Sequence, residues 1–126
     1  MEFLMAKEAD WIKVVAKLNR LTLERELVWV RRDPPGSITA ARNGRVFHFF
    51  GTRYRDKNIG IYEERYPFFT DEDTFHWDDR VVLAFYSDDW ELQWELPRVA
   101  GIQDLYNTIR RRDANADKFA EELLKD

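Results

Sequence analysis

The chain has 126 residues, 44% of them hydrophobic, and a formal net charge of −4, which suits one domain with a sizeable core. It has no cysteine and two histidines, which excludes disulfides, thiolate metal ligands and thiol nucleophiles. No apolar run reaches the roughly 20 residues of a membrane span, and the N-terminus lacks the apolar core of a secretory signal. We therefore predict a single domain over residues 1–126, in the cytoplasm and without a membrane segment.

The first segments predict a helix followed by a strand. Large apolar residues recur from Leu4 to Leu18 in steps of seven, four and three, which is typical of an amphipathic helix over residues 2–20. In residues 21–32 (LTLERELVWVRR), apolar and charged residues alternate, which predicts a first strand. The Asp33–Gly36 turn (DPPG) ends it, and residues 37–44 predict a loop.

Residues 45–54 (RVFHFFGTRY) predict a second strand with aromatic side chains on both faces. A polar hairpin connection at 55–58 leads to a third strand at 59–66, in which Gly60 predicts a bulge or a close contact. We expect this strand to end at Pro67, because proline cannot donate a hydrogen bond to a ladder.

The last two predicted strands differ in pattern. Residues 80–88 (RVVLAFYSD) are nearly continuously apolar, which is typical of a central strand. In residues 90–97 (WELQWELP), tryptophan and leucine alternate strictly with glutamate and glutamine. This alternation predicts a half-buried strand with Trp94 in the core.

The C-terminal part predicts two helices. The apolar stripe between Ile102 and Ile109 predicts the first, and Asp113 is a suitable N-cap for a second, closing helix. The apolar residues of that helix, Phe119, Leu123 and Leu124, are expected to face inward. The predicted fold class is α+β: an N-terminal helix, a five-stranded antiparallel meander sheet, and two C-terminal helices packed on one sheet face.

Charge is distributed unevenly along the chain. Residues 1–57 hold 12 Lys/Arg against 7 Asp/Glu, whereas residues 58–105 hold 3 against 12. The split predicts either a dipolar surface that favours oriented association, or segments that neutralise one another within the sheet. An isoelectric point near 5.3 argues against nucleic-acid binding, since phosphate contacts require basic surface.

The acidic segment 70–79 (TDEDTFHWDD) holds five carboxylates and His76. Hard cations bind clustered carboxylates, but the spacing lacks the central glycine and terminal glutamate of an EF-hand loop. Two histidines without cysteine are also a poor zinc set. We therefore predict no metal and no cofactor, and interpret the segment as a polar loop with Phe75 and Trp77 tucked beneath it.

Aromatic residues are concentrated in the predicted sheet, with 14 of the 19 lying between Phe47 and Trp94. If helices cover one sheet face, the other face either binds a partner or is covered by long loops such as residues 70–79.

We predict a non-catalytic interaction module, such as an acidic inhibitor, an immunity-type protein or an adaptor. It is expected to bind a basic protein partner through an aromatic sheet face and to form a homodimer. The predicted partner-binding residues are Tyr62, Glu63, Glu64, Tyr66, Phe68, Asp71, Trp77 and Tyr86.

The alternative is a small enzyme or ligand-binding domain. It predicts a pocket between the sheet and the helices, with His48, Arg53 and Glu63 as its polar groups. No nucleophile-elbow, phosphate-loop or dinucleotide motif occurs in the chain, so no catalytic residue is assigned.

Overall fold

The computed structural model describes residues 7–39 and 45–125. Its contacts divide the chain into two compact units, Met1–Trp29 with Pro97–Asp126, and Val30–Leu96. The α+β class is confirmed, with an N-terminal helix, five antiparallel strands and two C-terminal helices. The single domain stays a prediction. Within the described ranges, no helix has the length and apolar character needed to cross a membrane.

The helices are α1 (Glu8–Leu23), α2 (Gly36–Thr39), α3 (Ile102–Asp113) and α4 (Ala116–Lys125). The strands are β1 (Val30–Arg31), β2 (Arg45–Tyr54), β3 (Lys57–Phe69), β4 (Phe75–Tyr86) and β5 (Leu92–Glu95). They pair in the order β1-β2-β3-β4-β5, which is the predicted meander. The predicted start of the first helix, and residues 40–44 of the predicted loop, lie outside the described residues.

The prediction of a long first strand was wrong, because α1 continues to Leu23 and β1 has only two residues. The buried residues of α1, Val15, Leu18 and Thr22, follow the helical spacing of three and four. The Thr22 hydroxyl donates to the Leu18 carbonyl at 2.7 Å. The helix therefore extends three residues into the segment where strand-like alternation was expected.

The C-terminal helices also differ from the prediction. Asp113 is the last residue of α3, not the N-cap of α4. The α4 residues expected to face inward are exposed, namely Phe119, Leu123 and Leu124. The amphipathic pattern correctly predicted an apolar helix face, but a pattern cannot predict whether another element covers that face.

Register places alternate residues of β3 and β4 on opposite sides of the sheet. Face A carries the pair Ile61 and Leu83, and face B carries the pair Tyr62 and Val82. All four side chains are buried. The centre of the sheet therefore carries buried side chains on both faces.

Face B is filled by an aromatic cluster. The ring centroid of Phe49 lies 5.8 Å from that of Tyr62 and 5.7 Å from that of Tyr86. Gly60 lies against these rings, and a Cβ atom there would be 2.5 Å from Phe49 Cζ and 2.7 Å from Tyr86 Cε2. The predicted close contact at Gly60 is confirmed.

Ile38 of α2 and the side chain of Trp90 pack against this cluster. From the sequence, this second sheet face was expected either to bind a partner or to be covered by residues 70–79. The centre of face B is instead covered by other residues of the second unit. A partner surface must be sought elsewhere on the sheet.

A β-bulge in β2 makes this packing possible. Phe47 pairs with Glu63 and Phe50 with Ile61, so the two intervening residues of β2 oppose one residue of β3. His48, the first of them, has φ +51°. The extra residue allows Phe49 and Phe50, adjacent in sequence, to be buried on opposite faces.

The prediction that Trp94 is a core residue was wrong. Phe85 pairs with Trp94 but Tyr86 pairs with Leu92, so the register shifts by one residue within β5. This irregularity places Leu92 on face B and Trp94 on face A, where its side chain is 46% exposed. Strict alternation in sequence does not produce a single buried face when the strand contains a bulge.

Candidate functional site

The candidate site is a two-stranded extension of the sheet. β3 pairs with β2 only as far as Arg65, but it continues to Phe69 and pairs with β4 as far as Phe75. Within the described ranges, no third strand pairs with this extension. We call the segment from Tyr66 to Asp78 the aromatic arm.

Two boundary predictions are corrected by the arm. β3 does not end at Pro67, and the segment 70–79 is not a single loop, since β4 begins at Phe75. Only the five residues 70–74 connect the strands. The residues Phe75 and Trp77, expected beneath a loop, instead lie on a strand with half-exposed side chains.

The arm carries aromatic side chains on both faces. On face A, Phe69 pairs with Phe75 across the strands at a ring separation of 5.3 Å, and Trp77 lies 5.9 Å from Phe75. On face B, Phe68 lies 5.3 Å from the His76 ring. Exposed fractions range from 47% for Trp77 to 59% for Phe69. These aromatic groups pack on one another, yet about half of their surface faces outward.

The tip of the arm is an ordered acidic turn. Asp71 Oδ1 accepts hydrogen bonds from the backbone N–H groups of Asp73 at 2.9 Å and Thr74 at 2.8 Å. The bond from Asp73, with further bonds from the hydroxyl and backbone of Thr74, lowers the pKa of Asp71 below its ordinary value. The arm contains four carboxylates and no lysine or arginine.

Two arginines, Arg80 and Arg65, lie at the base of the arm. Arg80 Nη2 lies 3.3 Å from Oε2 of Glu64, whose side chain is only 6% exposed. The Arg80 guanidinium also lies over the Tyr66 ring, 5.6 Å from its centroid. On face A, Arg65 lies over the Trp77 ring at 5.8 Å. Cations therefore contact the aromatic side chains where the arm joins the sheet.

The structure brings together four of the predicted partner-binding residues, because Tyr66, Phe68, Asp71 and Trp77 all belong to the arm. Tyr62 and Tyr86 are fully buried in the face B cluster. Burial removes these two tyrosines from the predicted surface.

The predicted glutamates have different positions. Glu64 is buried beside Arg80 at the base of the arm. Glu63 is partly buried on face A, where it pairs with Phe47 and Val81. Neither carboxylate lies on the exposed rim that was predicted for them.

The predicted partner-binding set omitted three arm residues, Phe69, Phe75 and His76, although the sequence contained an indication of the hairpin that carries them. The aromatic pairs in PFF and FHW flank the five polar residues TDEDT, which is a suitable length for a hairpin connection. Treating Pro67 as a strand end concealed this hairpin.

The alternative pocket residues do not converge. Arg53 pairs across the strands with Asn58 and binds Asp88 at 2.9 Å. Glu63 lies five residues farther along β3, about 16 Å by strand rise. His48 lies in the bulge, and its Nδ1 is buried with no hydrogen-bond partner in the described part of the chain. These residues do not form one site.

The first unit contains a cleft of about 390 Å³, lined in part by Trp29, Arg111 and Arg112. Both of these arginines have structural partners: Arg111 Nε donates to Asp117 at 2.9 Å, and Arg112 donates to the Leu23 carbonyl at 2.6 Å. These bonds connect α3 to the start of α4 and to the end of α1, so we assign them to helix packing.

In residues 7–39 and 45–125, no three His, Asp or Glu side chains are grouped as a metal site would require. Comparison with protein-family models, with curated proteins and with solved structures gave no match. The geometry of the chain itself therefore carries the functional argument.

Proposed function

We propose that this chain is a non-catalytic protein-interaction module that binds its partner through the aromatic arm. The observation that carries the proposal is a two-stranded hairpin with half-exposed aromatic side chains on both faces. A hairpin with two strands is marginally stable alone, and exposed apolar patches on soluble proteins usually mark interaction sites. Four aromatic side chains, each about half exposed, present roughly 400 Å².

The charge of the arm supports a partner with basic surface. The turn residues Asp71, Glu72 and Asp73 lie at the end of the aromatic surface, where a polar rim is typical of interfaces. A concentration of carboxylates speeds encounter with a positively charged protein and aligns the two surfaces. An acidic inhibitor, an immunity-type protein or an adaptor would each use such a surface, in a cytoplasm that suits a cysteine-free chain. We also propose a homodimer.

Photo-crosslinking in the native host tests this function. A photoreactive phenylalanine analogue replaces Phe69 in the arm or, as the control, Val28, an apolar residue outside the arm with similar exposure. We expect a specific adduct from position 69 and none from position 28. Asp71→Asn with Asp73→Asn should lower the adduct yield several-fold, since it removes two charges at the tip.

The proposal is overturned if both positions give the same adducts, or if position 69 gives none at saturating irradiation. An adduct of twice the chain mass identifies a second copy. An adduct of another mass identifies a different protein, whose charge is then compared with the basic surface expected here.

A further inference from the structure

We infer that the free edge of β4 in the aromatic arm pairs antiparallel with the same edge of a second copy of this chain. The inference rests on the proposed function and specifies its homodimer. The arm is then part of a four-stranded ribbon in which the two β4 strands lie at the centre. The two faces of that ribbon remain available to a basic partner.

Backbone geometry identifies the free groups. The Leu83 carbonyl accepts from Leu96 N–H at 2.8 Å, so Leu83 directs its backbone polar groups away from β3. Alternate residues of a strand direct these groups to the same side. Phe75, Trp77, Asp79 and Val81 therefore direct theirs to the side of β4 that faces away from β3. Within the described part of the chain, no strand pairs with β4 before Ala84.

Asp79 confirms this direction independently. Its backbone N–H donates to the side-chain Oδ1 of Asp78 at 2.9 Å, so it is not used in the ladder with β3. The Asp78 carboxylate therefore accepts the hydrogen bond that a backbone carbonyl of a neighbouring strand would otherwise accept from Asp79 N–H.

The opposite edge of the arm contains a proline, and the β4 edge does not. On β3, the residues paired with the outward residues of β4 are Arg65, Pro67 and Phe69. When two residues lie opposite one another on antiparallel strands without bonding to each other, both direct their backbone N–H and C=O groups away from the partner strand. Pro67 has no N–H, and proline is a usual means of preventing pairing at an edge. The β4 edge has neither proline nor lysine between Phe75 and Val81.

The length of the edge limits the register. Leu96, the residue after β5, occupies the position next to Leu83, so the tip of the second arm must end before Leu83. Placing Trp77 on the two-fold axis satisfies this limit, since residue 73 of the second arm then lies opposite Val81. Each added step toward Leu83 would drive the tip into Leu96.

This register also gives complementary side-chain pairs. The two Trp77 side chains lie opposite one another on face A, where cross-strand aromatic pairs are favourable. On face B, His76 of each copy lies opposite Asp78 of the other, so an imidazole N–H donates to a carboxylate. In the dimer, the Asp79 N–H donates to the Phe75 carbonyl of the second copy and no longer to the Asp78 side chain of its own chain. The Asp78 carboxylate is then available to accept from His76 of the second copy.

A proline substitution tests the backbone pairing. Asp79→Pro removes one outward N–H, leaves the β3 ladder intact and loses the carboxylate. Asp79→Ala is the matched control that loses only the carboxylate. By analytical ultracentrifugation we expect wild type and Asp79→Ala to dimerise. In Asp79→Pro, two equivalent hydrogen bonds are lost by symmetry, and the dissociation constant should rise by about thirtyfold.

A single-cysteine scan tests the register without depending on the folding of the proline variant. Because the chain has no cysteine, any disulfide in a single-cysteine variant joins two copies. Trp77→Cys should oxidise to a disulfide dimer at least about tenfold faster than Phe75→Cys or Asp79→Cys, whose equivalent positions lie about 14 Å apart in this register. Lys13→Cys on α1 measures random collision.

A wild-type chain that remains monomeric at high concentration overturns the inference, as does equal dimerisation of Asp79→Pro and Asp79→Ala. Equal oxidation rates at positions 75, 77 and 79 overturn the register. In each case, a photo-crosslink from position 69 to a different protein would persist, so the failure of this inference is distinguishable from the failure of the proposed function.

Discussion

The centre of the sheet and the aromatic arm are built from the same two strands, but only the centre is buried. At Tyr62, β3 lies between β2 and β4, and the side chain is fully buried. Seven residues later, Phe69 has β4 as its only strand neighbour in the described chain, and it is 59% exposed. Alternation determines the face on which a side chain lies. The number of neighbouring elements determines whether that side chain is buried.

The largest expected difference between the two regions is in stability. Phe49→Ala should lower the free energy of unfolding by about 3–5 kcal/mol, because it empties the centre of the face B cluster. Phe69→Ala should lower it by less than about 1 kcal/mol, since much of that ring is already exposed. Urea denaturation at low protein concentration measures both values. Equal losses would contradict the distinction between centre and arm.

A smaller effect is expected from an added methyl group. Gly60→Ala places a Cβ within 2.5 Å of Phe49 and 2.7 Å of Tyr86, and displacing those rings should cost about 1–3 kcal/mol. Gly36→Ala is the matched control, because a Cβ there has no neighbour within 4 Å. A thermal midpoint lowered equally by both substitutions would show that the glycine in the sheet has no special packing role.

The smallest expected effect is at the arm tip and depends on pH. The pKa of Asp71 is lowered in the folded chain, so its turn-stabilising contribution is present above the ordinary carboxyl pKa of about 4 and is lost as pH falls through the folded value. The amide NMR shifts of Asp73 and Thr74 should report this transition.

Asp71→Asn should remove this transition, and Glu72→Gln should leave it unchanged. Persistence of the titration in Asp71→Asn would assign it to another group.

Where local pattern and tertiary environment agreed, the sequence was sufficient to predict the fold. The β2 bounds were predicted correctly, because residues 45–54 combine β-branched and aromatic residues with turns at both ends. The antiparallel meander followed from short connections. The α1 end was missed, because the helical stripe through Thr22 overlaps a segment that also alternates like a strand.

The site could be predicted only in part. Aromatic enrichment placed Phe68 and Trp77 among the predicted partner-binding residues, and both side chains are about half exposed, but it could not separate them from the buried Tyr62 and Tyr86, which have the same chemistry. The separation depends on the β2 bulge and on Trp90, which approaches the face B cluster from a position with φ +61°. Both are tertiary features with no distinct sequence pattern.

Pro67 has a consequence for the size of any assembly that the arm forms. If two β4 edges meet, the outer boundaries of the resulting ribbon are the two β3 edges, and each of these lacks an amide donor at Pro67. A further chain could not extend the ladder past this residue. Such an assembly would therefore be closed at two subunits, whereas an aromatic hairpin with two unprotected edges could grow into a filament.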